Sequence, residues 1–144
     1  MDEVDQRSWW MPAPDEAAWA LPDDLRAADP LSGRDCGWVN QMRPFVRHFS
    51  RPGEQVFDPF CGFGSTLLAA ALEGRNAHGM EIDAARAQLA RTRLARHAVA
   101  APVVVGSLAD IAPAAPIDLC LTNVPYFGCH WHGDVLPGQR SEER

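Results

Sequence analysis

The spacing of apolar positions changes several times along this chain, and each change marks an element. Met42, Phe45, Val46 and Phe49 fall at i, i+3, i+4 and i+7, which predicts a helix over 37–50. Pro44 suits a first turn better than an interior, so the firmer part of that helix is expected from about Arg43. Val56 and Phe57 make a short apolar run, closed by Asp58-Pro59 and a glycine loop through Gly64. A helix follows to Glu73, with Ser65 or Thr66 as its cap and Gly74 at its end. Residues 76–83 read as a second strand finishing in acids, and Asp83 then caps a helix from Ala84 to about His97. Ala87, Ala90, Leu94 and Ala98 form the apolar stripe of that helix, and Arg86, Arg91, Arg93 and Arg96 its expected solvated face. The run Pro102-Val103-Val104-Val105-Gly106 predicts a strand buried on both faces, and Ile117–Leu121 a fourth strand.

Strands alternating with helices at this spacing predict an α/β fold, a mostly parallel Rossmann-like sheet of about four strands. In such sheets ligands bind beyond the carboxyl ends of the strands. Asp58, Glu81, Ser107 and Asn123 all fall at or just past those ends.

Composition divides the chain unevenly. Nine of the nineteen acidic residues lie within residues 1–35, against three arginines, so the net charge of −6 belongs to that stretch. Residues 1–36 therefore read as an acidic arm rich in Trp and Pro, anchored by Trp9, Trp10 and Trp19. Asp15–Leu21 is expected to make one or two helical turns that stop at Pro22. Residues 37–128 form the folded domain, and residues 129–144 a polar tail. All thirteen basic residues are arginine, which suits phosphate recognition but also follows from a GC-rich genome. The charge neither demands nor excludes a nucleic-acid partner. No run of 18 apolar residues and no signal-like N-terminus are present, and Cys36, Cys61, Cys120 and Cys129 show no repeating spacing. These features predict a cytoplasmic protein with free thiols and no membrane segment.

The glycine loop narrows the chemistry. Gly62-Phe63-Gly64 offers G-x-G, but a dinucleotide fingerprint would need its third glycine at Leu67. Asp58-Pro-Phe-Cys-Gly-Phe-Gly-Ser-Thr66 instead resembles motif I of class I S-adenosylmethionine-dependent methyltransferases that act on exocyclic amino groups of nucleic acids. Residues 74–83 resemble the next strand of the DNA adenine-N6 and cytosine-N4 enzymes. Asn123-Val124-Pro125-Tyr126 is similar to their catalytic motif, with Val124 in place of a first proline.

The resemblance covers about residues 37–128. It implies S-adenosylmethionine as cofactor, with Asp58 at its ammonium, Glu81 on its ribose hydroxyls and the loop N–H groups at its carboxylate. Further cofactor contacts are implied at Phe60, Cys61, Gly62, Gly64, Ser65, Thr66, Ile82 and Ser107. Ser107 stands where the family usually has an acid. Asn123 and the following carbonyl would orient the target amine, with Pro125 in the same catalytic motif and Tyr126 stacking on a base taken out of its duplex. DNA is the expected substrate. RNA guanine-N2 methylation, a non-catalytic cofactor-binding subunit and a small-molecule or peptide methyltransferase are the alternatives.

The family sheet has seven strands, whereas only about 16 residues follow Gly128. An incomplete sheet is therefore expected, with an open edge beside the fourth strand. A longer protein, a homo-oligomer or second chain, or a degenerate remnant would each account for it. Cys129, His130 and His132 supply too few paired ligands for zinc, so no metal is expected.

Overall fold

The computed structural model describes residues 13–33, 36–110, 112–113 and 115–124. Four helices, α1 (Asp23–Ala28), α2 (Val39–Phe49), α3 (Ser65–Leu72) and α4 (Ala84–Arg96), accompany four strands, β1 (Gln55–Asp58), β2 (Asn76–Glu81), β3 (Val103–Val105) and β4 (Leu119–Cys120). The strands form one all-parallel sheet in the order β3-β2-β1-β4. Phe57 pairs with His78 on one side and Cys120 on the other, so β1 is central. The crossovers through α3 and α4 step the same way across the sheet, and right-handed connections therefore put both helices on one face.

That face holds the core. Val56, Ala77 and Val103 from the sheet meet Leu67, Leu68, Ala69 and Ala70 of α3 and Ala87, Ala90 and Leu94 of α4. The small alanines let the helices lie close to the strands, and α2 seals α3 from outside with Val39, Met42 and Val46. Arg43 and Arg47 of α2 both pair with Glu73 just past α3, at 2.7 and 2.8 Å. On the opposite face Phe57 and His78 stack with centroids 4.8 Å apart.

Several elements differ from expectation for identifiable reasons. Helix α2 begins at Val39, with Pro44 in its interior. Its first N–H groups, those of Val39 and Asn40, donate to the Asp15 carboxylate at 3.0 and 2.8 Å. An acid 24 residues upstream thus caps the helix and allows the earlier start. Phe49 is exposed, not on the buried face. Pro22 starts α1 where a stop followed by extended chain was expected. Neither Ser65 nor Thr66 caps α3. Gly64, left-handed at φ 78°, holds that position. Strand β3 lies at the sheet edge with Val104 and Val105 exposed, so its apolar run is not buried on both faces. Ala98 falls beyond α4 and is exposed.

The largest correction concerns the arginines of α4. Arg91 and Arg96 are exposed as expected, but Arg86 and Arg93 are buried. Seven residues apart, they share the flank of α4 that faces the glycine loop and residues 15–33.

Candidate functional site

The chain leaves β1 at Asp58, whose carboxylate is almost wholly buried. Its Oδ1 accepts the Phe60 N–H at 3.0 Å, which turns the backbone sharply after the strand. Burial pushes the Asp58 pKa above the usual carboxylate range, and the nearby Glu81 charge adds to this. The Thr122 and Thr66 hydroxyls and the Phe60 N–H act the other way.

The loop then crosses the end of β2. Cys61 N–H donates to the Met80 carbonyl at 2.9 Å, and Gly62 N–H donates to Glu81 Oε2 at 3.0 Å. Such a close crossing requires that β2 present no side chain beneath it. A Cβ on Gly79 would lie 2.8 Å from both Cys61 Cβ and Leu67 Cδ1. Burial raises the Cys61 thiol far above its ordinary pKa, and Asp58 and Glu81 raise it further, which removes it as a nucleophile.

Glu81 ends β2 with 4% of its surface exposed. Oε2 takes the Gly62 N–H, and Oε1 takes the Asp83 N–H at 3.0 Å. One carboxylate therefore ties the loop to the start of α4. Each oxygen keeps a second lone pair for a ligand hydroxyl. Asp83 caps α4 by accepting from Ala85 and Arg86 N–H at 2.8 and 3.0 Å.

Between these elements lies a cavity of about 370 Å³, within the range of small-molecule sites. Asp58, Phe60, Cys61, Gly62, Ser65 and Thr66 line it from the first strand and loop. Glu81, Ile82, Ser107 and Asn123 line it from the other strand ends. Gly64 does not line it. Its α-carbon instead faces Leu94, where a Cβ would stand 3.4 Å from that side chain. Phe60, Ile82 and Val124 are cavity residues with roughly half their surface open, giving apolar faces at the mouth. The Ser107 hydroxyl donates to Asp110 at 3.1 Å. The proposed Pro125 and Tyr126, the Cys129–His132 cluster and the anchors Trp9 and Trp10 lie outside the described residues.

Sequence reasoning missed several residues of this site. Gly37 lets Asn123 approach, since a Cβ there would stand 3.2 Å from Asn123 Nδ2. Cys36 and Met42 form the wall beside it. Arg86 also lines the cavity, ion-paired to Asp29 at 3.2 Å with its guanidinium 5.0 Å from the Phe63 ring centroid. Gly79 had a signal, because glycine inside a strand often marks close backbone approach. Gly37 and Arg86 had none, because their partners lie far along the chain.

Two buried carboxylates facing one cavity favour a ligand with a cationic group and paired hydroxyls. Similarity to known proteins agrees. Residues 39–92 match the DNA methylase family of N6 and N4 type. A 23S rRNA (uracil-C5)-methyltransferase of Acidithiobacillus ferrooxidans is 31% identical over 132 residues, covering 83% of this chain and 30% of that protein. The type II methyltransferase M.MjaI of Methanocaldococcus jannaschii is 35% identical over 66 residues, 45% of this chain and 22% of that one. The chain thus spans less than a third of either relative. In three dimensions it superposes on a TehB-like S-adenosylmethionine-dependent methyltransferase of Corynebacterium glutamicum with TM-score 0.52 at 20% identity, over 70% of this chain and 50% of that one.

Proposed function

We propose, from its class I S-adenosylmethionine-dependent methyltransferase fold and its match to the DNA methylase family over residues 39–92, that this chain transfers a methyl group to an exocyclic amine of a DNA base, adenine N6 or cytosine N4. What carries the reading is the pair of buried carboxylates, Asp58 and Glu81, on either side of the glycine loop, with Asn123 on the same cavity.

The residues present fit S-adenosylmethionine. Asp58, held ionised by an adjacent ammonium, would take the amino group of its methionyl end. Glu81 would accept from the ribose hydroxyls with the lone pairs that Gly62 and Asp83 leave free. Ile82 and Phe60 would flank the adenine with apolar surface. When bound, the cofactor supplies an electrophilic methyl carried on a sulfonium.

The remaining work is orientation of the acceptor. An exocyclic amine is a weak nucleophile because its lone pair is delocalised into the ring. Asn123 Oδ1 accepting one amine hydrogen, and the Val124 carbonyl the other, would turn the lone pair toward the methyl group. Pro125 and Tyr126 extend the proposal by resemblance, Pro125 by shaping the turn and Tyr126 by stacking on the extruded base. A second copy or another chain pairing beside β4, which ends the sheet among the described residues, would extend it.

The test is incubation of the chain with methyl-labelled cofactor and duplex DNA, then chromatography of the nucleosides. Label in N6-methyladenine or N4-methylcytosine is the expected result. Similarity to an rRNA enzyme over most of the chain favours RNA as the second reading. Label appearing only in tRNA or rRNA would establish it. Tight cofactor binding with transfer to neither nucleic acid would leave a binding subunit and overturn the catalytic proposal.

A further inference from the structure

Arg93 is the largest fully buried side chain in the described residues. Burying a guanidinium is costly unless it is paired, and no carboxylate bonds to this one in the described structure. It donates instead to neutral oxygens: the Trp19 carbonyl at 2.7 Å, the Ser65 hydroxyl at 2.9 Å and the Phe63 carbonyl at 3.3 Å. The Cys36 sulfur lies 3.8 Å away. Its Nε has no partner among the described atoms.

These contacts converge on one wall of the cavity. Cys36, Phe63 and Ser65 all line it, and Ser65 in turn donates to the carbonyl of Gly37, another lining residue, at 2.6 Å. Asp58 and Glu81 lie elsewhere on the same cavity, at the ends of the two central strands. The cavity is therefore electrically polarised: buried acids stand at the strand ends, the lining Arg86 is paired with Asp29, and a buried cation with no bonded acid lies behind Ser65. Asp15 acts on Arg93 only through space, so part of the counter-charge can come from a ligand.

We propose that Arg93 is a positioning residue that fixes the glycine loop by donating to the Ser65 hydroxyl and the Phe63 carbonyl, and whose charge, acting from behind them, makes this wall the seat of the ligand's carboxylate. The inference rests on the S-adenosylmethionine reading of the site. It assigns the charge selecting an amino-acid-bearing nucleoside to α4, outside the glycine loop. Arg93 does not touch the ligand. It neutralises the carboxylate from behind, and it holds the loop, Gly37 and residue 19 in one arrangement.

Binding of S-adenosylhomocysteine and of 5′-methylthioadenosine, which lacks the amino-acid end, to the full chain by calorimetry tests this. Arg93→Met should weaken S-adenosylhomocysteine roughly thirtyfold, the scale of one buried charge acting across an intervening side chain, and methylthioadenosine less than about threefold. Arg93→Lys, which keeps the charge without the fork, should recover most of the loss. Equal weakening of both ligands would make Arg93 merely structural and overturn the inference, as would no weakening of either.

If Arg93→Met does not fold, the wild-type chain still decides. The carboxamide analogue of S-adenosylhomocysteine should bind roughly tenfold or more weakly than the acid, and Ser65→Ala should shrink that difference while sparing methylthioadenosine. Equal binding of amide and acid overturns the inference while leaving the cofactor reading intact. Failure of the wild type to bind any of the three nucleosides overturns both.

Discussion

The two halves of the cavity are built in opposite ways. The half made by β1, β2 and the glycine loop is dense and cross-tied: Asp58, Cys61, Glu81 and Gly79 are buried and bonded or packed to one another. The half made by β4 is a two-residue strand followed by Asn123, which is half-buried, and Val124, which is exposed. Family similarity divides at the same place, since the matched residues 39–92 include Asp58 and Glu81 and stop before Asn123. The difference teaches that holding a cofactor and presenting an acceptor, the two tasks of the proposed function, would be separable in this chain. Only the first is supported by a closed network of its own contacts within the described residues.

If that contrast is right, damage to the dense half should cost both stability and binding. Glu81→Ala is expected to have the largest effect. It strands the Gly62 and Asp83 N–H groups and removes the proposed ribose acceptor, so stability should fall by about 2–4 kcal/mol and S-adenosylhomocysteine binding by roughly a hundredfold or more. Urea denaturation and calorimetry measure the two. Gly79→Ala should follow, at about 1–3 kcal/mol, because its Cβ must displace Cys61 and Leu67.

Asp58→Asn separates the two tasks inside the dense half. Burial raises the Asp58 pKa, so the ionised carboxylate works against folding at neutral pH. The variant should therefore melt at the same or a higher temperature at pH 7, with that gain fading on acidification toward 3.8. Its affinity for S-adenosylhomocysteine should still fall roughly tenfold or more. A parallel loss of stability at pH 7 would show that Asp58 is structural.

A smaller effect comes from the histidines. Burial lowers the pKa of His78 and of His97, and Arg93 lowers the latter further. Both take up protons more readily when unfolded, so they should reduce stability as pH drops below about 6.5. Melting curves from pH 8 to pH 5 should show the decline, and a His78→Phe, His97→Phe variant should flatten it.

The smallest change in stability and cofactor binding belongs to the open half. Asn123→Ala should alter melting by less than about 2 °C, as for a partly exposed side chain outside a network. Cofactor affinity should change less than about threefold. Methyl transfer to nucleic acid should nevertheless be lost, and retained transfer would remove Asn123 from its proposed role.

The local chemistry was legible in the chain because it is carried by neighbours in sequence. An apolar pair, Asp-Pro and two glycines specify a strand, a turn and a tight loop without help from elsewhere. Asp83 caps α4 through N–H groups two and three residues on, an equally local device. Arg86 and Arg93 were misread for the opposite reason. In a helical pattern an arginine at any position looks solvated, and what buries these two is Asp29, Trp19 and the glycine loop. The start of α2 was misplaced in the same way, because Asp15 reaches it from another segment.

By itself, then, the sequence determined the order of strands and helices, the parallel sheet they imply, and the acids at the strand ends. Those follow from hydrophobic periodicity and backbone chirality, which act over a few residues at a time. Only the tertiary structure decided that β3 is an edge, that Gly79 must lack a side chain, and that two arginines of α4 are buried at the cavity, Arg86 lining it and Arg93 behind its wall. Burial is a property of what packs against a residue, and for these positions the packing partner lies many residues away.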